Sequence, residues 1–180
     1  MSQGRLKQYI RRRLPGEETI DLLDNAVFAC DTELMNRLNV MRLKDTATLP
    51  ERKTAGSVGY DIAACLGADI TIMPGETQMV GSGLAIALMP GYAAFLYARS
   101  GLGIKQGIIP ANCVGVIDPD YRGELIVGLK NTSDKPFVVK DGDRIAQMVI
   151  AKCELPEPVL CESLDETLRS DGGFGSTGKS

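Results

Sequence analysis

Asn112 to Glu124, NCVGVIDPDYRGE, gathers Asp118, Asp120 and Glu124 with Asn112, Tyr121 and Arg122 in one short stretch. The apolar run Val114 to Ile117 delivers these groups to a turn closed by Gly123. On spacing alone this is a β-hairpin tip bearing solvated charges. Elsewhere, Arg99-Ser100-Gly101-Leu102 offers a guanidinium, a hydroxyl and glycine N–H groups together, a combination suited to clamping a phosphate. Gly59-Tyr60-Asp61 follows a flexible Gly56-Ser57 pair, and Arg144-Ile145-Ala146-Gln147 opens a late strand. Gly173 to Ser180 satisfies G-x-x-x-x-G-K-[ST], the phosphate-loop pattern. That pattern works when a buried strand delivers it and a helix follows. Residues 162–171 are polar and acidic and no helix is expected after Ser180, so the segment reads as a glycine-rich arm able to wrap a phosphate.

The chain has no histidine. General acid–base chemistry must therefore come from carboxylates, Lys, Tyr, Cys or metal-activated water. A histidine triad is excluded, and with no C-x-x-C pair a caged zinc is not expected. The cysteines, Cys30, Cys65, Cys113, Cys153 and Cys161, read as reduced cytosolic thiols, most of them buried fillers. A net charge of −3 argues against bulk nucleic-acid or anionic-membrane binding. No apolar run is long enough to span a membrane. Arg11-Arg12-Arg13 is followed at once by Glu17, Glu18, Asp21 and Asp24, so no transit peptide is expected. The Asn131-Thr132-Ser133 sequon carries little weight without secretion.

The elements that position these groups fall into three parts. Residues 1–36 form an extension expected to be helical, with Ile20, Leu23, Val27 and Phe28 near one face of a helix over Thr19 to Leu38. This reads as a piece packed on the domain surface, with a partner-binding arm as the alternative. Residues 37–160 are short β-branched runs punctuated by Gly and Pro, the texture of an all-β barrel or sandwich. Strands are expected over Asp69–Met73, Thr77–Met89, Tyr92–Ala98, Glu124–Leu129, Phe137–Val139 and Ile145–Lys152, with turns at Arg99-Ser100-Gly101 and Asp141-Gly142. Residues 161–180 are a flexible arm carrying the glycine-rich motif. At 180 residues the whole suits one core-bearing domain.

Taken in order, GYD, RSGL, GVIDPDYRGE, RIAQ and GGFGSTG resemble the five motifs of the trimeric dUTP pyrophosphatase (dUTPase) family, over about Leu38 to Ser180. The resemblance implies a jelly-roll β-barrel subunit in a homotrimer, with active sites shared between subunits and closed by a C-terminal arm. It implies hydrolysis of dUTP to dUMP and pyrophosphate, limiting uracil incorporation into DNA and supplying dUMP for thymidylate synthesis, in the cytoplasm.

By that likeness Asp118 orients and deprotonates the attacking water, a carboxylate beside a triphosphate being a better base than a free one. Asn112 reads the uracil edge with backbone groups and Val116 lines the base site. Tyr121 packs on the deoxyribose and excludes a 2′-hydroxyl, and the hairpin leaves no room for a 5-methyl. Arg99, Ser100, Gly101 and Gln147 hold phosphates. Phe174 stacks on uracil beside Gly175, while Arg169, Ser176 and Thr177 reach the γ-phosphate. Mg2+ rides on phosphate oxygens and water, with no protein ligand. Asp61 either supports the water network or braces Arg144.

The chain departs from the family pattern at Val58, Ala98 and Ser170, the last bearing on how fast the arm closes. The nearest rival, dCTP deaminase, shares the fold and is echoed by Ile117-Asp118-Pro119. It needs a glutamate where this chain has Gly128 and lacks a GGFGSTG tail, so deamination is disfavoured. A regulatory binding role for residues 1–36 is compatible with catalysis.

Overall fold

The computed structural model describes residues 37–167. The expected N-terminal helix and the glycine-rich arm, with Arg169, Phe174, Gly175, Ser176 and Thr177, lie outside the described residues.

Among the described residues are one short helix and eleven strands: β1 (Asn39–Arg42), β2 (Tyr60–Ala63), β3 (Ile70–Ile72), β4 (Thr77–Gly81), β5 (Leu84–Ala87), β6 (Tyr92–Tyr97), β7 (Ile108–Pro110), β8 (Gly115–Ile117), β9 (Ile126–Asn131), β10 (Phe137–Val139) and β11 (Arg144–Lys152). All named pairings are antiparallel. A four-stranded sheet runs β2-β11-β6-β8, a three-stranded sheet runs β4-β9-β7, and two-stranded ribbons join β1 to β5 and β10 to β3. Alternation along the strands sends Ile62, Leu96, Ala146 and Met148 of the larger sheet inward, against Val80, Val127 and Leu129 of the smaller one. Each fully buried Val, Leu, Ile or Met side chain there contributes about 1.5–3 kcal/mol relative to exposure. This is the all-β, jelly-roll class expected from the sequence.

Four local readings change. The run Thr77–Met89 is not one strand: the chain turns between β4 and β5, with Gly83 at φ +67°. A Cβ there would meet Ala47 and Cys65 at 2.9–3.1 Å, so both conformation and space require glycine. Arg99-Ser100-Gly101 is not a simple turn but the start of a helix over Ser100–Gln106, ended by Gly107 at φ +67°. The Asn112–Glu124 segment is not a hairpin tip. Its strand β8 pairs with β6 and the following β9 with β4 and β7, so the acidic loop crosses from one sheet to the other. Among the described cysteines Cys65 alone is buried; Cys153 is half-buried, and Cys113 and Cys161 are exposed.

Candidate active site

The outward face of the larger sheet carries the polar cluster. Gln147 lies opposite both Asp61 on β2 and Tyr97 on β6, so all three side chains share that face. Arg99 continues this row two residues past Tyr97. Arg144, three residues before Gln147, would point inward on a regular strand. The register shifts between Arg144 and Ala146, where Arg144 faces Ala63 and Ala146 faces Ile62. This bulge absorbs Ile145, which is buried, and returns Arg144 to the face of Asp61.

Asp61 then holds both arginines. Arg99 Nε donates to one carboxylate oxygen at 2.9 Å and Arg144 Nη1 to the other at 2.9 Å. Arg99 Nη1 also donates to the Arg144 carbonyl at 3.2 Å. Burial pushes the Asp61 carboxyl up, but the hydrogen bonds and positive charges of Arg144 and Arg99 outweigh it and hold the group below its ordinary value. These contacts pair Asp61 with Arg99 as well as with Arg144. Gln147 Nε2 donates to the Ala98 carbonyl at 2.9 Å. Its amide oxygen lies where a Cβ on Gly59 would come within 3.1 Å, so Gly59 leaves that side chain its room.

Asp61, Arg99, Ser100, Gly101, Arg144 and Gln147 together line one recess of about 370 Å³. Three motif segments far apart in sequence therefore converge there: Gly59 with Asp61, Arg99-Ser100-Gly101, and Arg144 with Gln147. The recess is also lined by Lys53, Ser57 and Val58 from the preceding loop. Lys53 was not among the expected site residues; it lies outside every motif, and no spacing signal marks it.

Asn112, Val116, Asp118 and Tyr121 do not line this recess. Register explains the separation. On β6, Ala94 faces Ile117 and Leu96 faces Gly115, so Asp118 comes level with Ala93, near the start of the strand. Arg99 lies beyond the opposite end. Arg99 follows Ala93 by six positions along an extended chain, roughly 20 Å at the usual strand rise.

The loop is shaped for its own task. Tyr121 Oη donates to the Glu124 carbonyl at 3.0 Å. A Cβ on Gly123 would collide with that hydroxyl, so glycine is needed for the ring to sit there. Arg122 Nη1 donates to the Pro119 carbonyl at 2.7 Å and to the Tyr121 carbonyl at 2.8 Å. Glu124 Oε1 accepts from the Gly83 N–H at 2.7 Å, tying the loop to the β4–β5 turn. Asp118 itself is exposed. Asn112 and Cys113 form the turn into β8, with Cys113 at φ +63°.

Comparison with known proteins bears on family and fold. The family model described as dUTPase matches residues 45–178. A deoxyuridine 5′-triphosphate nucleotidohydrolase of Desulfitobacterium hafniense is 52% identical over 139 residues, covering 76% of this chain and 92% of that protein. Its counterpart in Idiomarina loihiensis is 45% identical over 140 residues, covering 77% and 93%. Among solved structures, a mutant of the Staphylococcus bacteriophage 80alpha dUTPase with dUpNHpp matches with a TM-score of 0.74 and 27% identity, over 80% of this chain and 99% of that one. A mutant dUTPase from phage phi11 of S. aureus, a structure concerned with a structural Mg(II) ion, matches with a TM-score of 0.67 and 25% identity, over 73% and 100%. With its β subunit, its motif segments and these matches all in accord, the chain belongs to the dUTPase family.

Proposed function

We propose that the protein hydrolyses dUTP to dUMP and pyrophosphate in the cytoplasm, keeping uracil out of DNA and supplying dUMP for thymidylate synthesis. The observation that carries this reading is the recess in which Asp61 holds Arg99 and Arg144 beside Ser100, Gly101 and Gln147. It is a preformed cationic pocket for a triphosphate, with arginine geometry fixed before substrate arrives.

Asp118 is the general base. It takes a proton from a water whose oxygen attacks the α-phosphorus; the bond from that phosphorus to the bridging oxygen breaks, and pyrophosphate leaves with the electron pair. Tyr121, held by Glu124 and by the missing Cβ at Gly123, packs on the deoxyribose and leaves no space for a 2′-hydroxyl. Asn112 and Val116 take the uracil, and Phe174 and Gly175 cover it. Arg169, Ser176 and Thr177 reach the γ-phosphate. Both Asp61 oxygens are engaged by arginines, so Mg2+ would be held by the substrate and water, with no protein ligand, and would supply positive charge to offset that developing on the phosphates.

The working enzyme is a homotrimer with shared sites. The roughly 20 Å between the Asp118 and Arg99 ends of β6 supports this, since one subunit cannot bring both to one phosphorus. So do the apolar Tyr97 and Val116 on the outward sheet face, 38% and 57% exposed, and Leu155, Val159, Leu160 and Leu164 exposed after the last strand. Residues 1–36 are assigned to a surface extension and 161–180 to the closing arm.

The test is pyrophosphate release across nucleoside triphosphates with Mg2+. Turnover of dUTP with little of UTP or dTTP is expected. Ammonia release from dCTP would overturn the reading in favour of deamination.

A further inference from the structure

Lys53 lines the phosphate recess from a side that no motif supplies. It sits on the loop between Glu51 and β2, and that loop is tied down at several points. Glu51 forms an antiparallel bridge with Asp61, whose N–H donates to the Glu51 carbonyl at 2.8 Å. Arg52 lies over the Tyr60 ring, 5.7 Å from its centroid. Thr54 and Ser57 close a turn through their hydroxyls at 2.8 Å and through the Ser57 N–H on the Thr54 carbonyl at 3.1 Å. The same backbone therefore positions Lys53 and the carboxylate that holds Arg99 and Arg144.

The charge balance is informative. Asp61 neutralises one of the two arginines it holds, and Glu51 neutralises Lys53 through an ion pair of 2.6 Å. A triphosphate brings several negative charges to this recess. The Lys53–Glu51 pair is the easily broken one: its side chains are 52% and 67% exposed, against 24% and 15% for Arg99 and Asp61. Exposed pairs contribute little and are screened by salt. A lysine on a flexible stem can leave such a partner for a phosphate at small cost.

We propose that Lys53 is a substrate-binding residue that exchanges Glu51 for the phosphates beyond the first, with Glu51 as its competing internal anion. This rests on the reading of the recess as the triphosphate site of dUTP hydrolysis. Glu51 sets how readily the lysine is released.

The experiment compares wild type with Lys53→Ala, Lys53→Arg and Glu51→Gln in steady-state dUTP hydrolysis with Mg2+, and in binding of dUpNHpp and dUMP. Lys53→Ala is expected to raise KM for dUTP and weaken dUpNHpp about tenfold, the loss of one charge-assisted hydrogen bond. Its kcat and dUMP affinity should stay within about twofold of wild type, because binding and not the transition state loses the contact. Lys53→Arg should recover most of the loss, and Glu51→Gln should lower KM below the wild-type value. The proposal is overturned if Lys53→Ala leaves KM and dUpNHpp binding unchanged, if it weakens dUMP equally, or if Glu51→Gln raises KM as Lys53→Ala does. In those cases wild-type turnover of dUTP still upholds the enzymatic reading. A wild-type protein inert toward dUTP removes that reading, and the Lys53 proposal with it.

Discussion

The arginine-lined recess and the acidic loop differ in how they are held. In the recess, adjacent strands fix Asp61, Gln147 and the approach to Arg99, and a bulge aims Arg144. The carboxylate and guanidinium groups are satisfied by one another at 2.9 Å. In the loop, Asp118 is exposed, Asn112 and Cys113 occupy a tight turn, and the backbone crosses between sheets. Charged groups are thus prepaired within one chain, while the carboxylate proposed for proton transfer stands open and apart. Anion binding needs fixed charge, and a base that deprotonates water needs access to it.

The strongest way to sharpen this contrast is Asp118→Asn. Its kcat should fall by about 10²–10⁴-fold, the usual contribution of a general base, while dUpNHpp binding survives. Wild-type turnover in that variant would return Asp118 to a merely solvated surface carboxylate. A second test asks whether the two regions work across subunits. Asp118→Asn and Arg99→Ala should each be inactive alone, whereas co-refolding them one to one should restore roughly a quarter of wild-type activity, since random assembly leaves about that share of sites intact. No recovery would break the shared-site reading.

A smaller effect probes the recess itself. Asp61→Asn should lower stability by about 1.5–3 kcal/mol near neutral pH, as charged hydrogen bonds to two arginines weaken. Because the folded Asp61 pKa lies below its unfolded value, its contribution is fully present above the unfolded value. It is lost as pH falls through the lower, folded one. Denaturant titrations of both proteins should therefore converge in acid; a gap that persists there would deny the ion pairs their role. The smallest effect belongs to the loop. Cys113→Gly should raise stability by up to about 1 kcal/mol, because a side chain at φ +63° is strained in the left-handed region. A melting point unchanged or lowered would show that the turn tolerates cysteine.

How much of this was legible in the sequence depends on the range of the interaction. Tyr92–Tyr97 and Phe137–Val139 were readable as strands because β-branched and aromatic residues end at Gly or Pro signals nearby. The helix over Ser100–Gln106 was not, since Gly101 and Gly103 weaken any local helical signal. The crossing loop has the local look of a hairpin tip for a related reason. Val114 to Glu124 has the local pattern of strand, turn and strand, and only pairing of β8 with β6 and of β9 with β4 and β7 sends the arms to different sheets. The expected burial holds for Cys65 and not for Cys113 or Cys161, because a small side chain carries no periodic mark of where it points.

The sequence by itself determined the chemistry available: carboxylates in place of histidine, arginine with glycine for phosphates, and motif order sufficient to identify the family. These are matters of residue type and spacing along the chain. Tertiary structure alone decided that Asp61 serves two arginines, that the Arg144 bulge turns that side chain outward, that Lys53 joins the recess, and that Asp118 stands at the far end of β6. Each of these depends on strand register, and register is set by which faces bury their apolar side chains together, a long-range condition that no local window of residues contains.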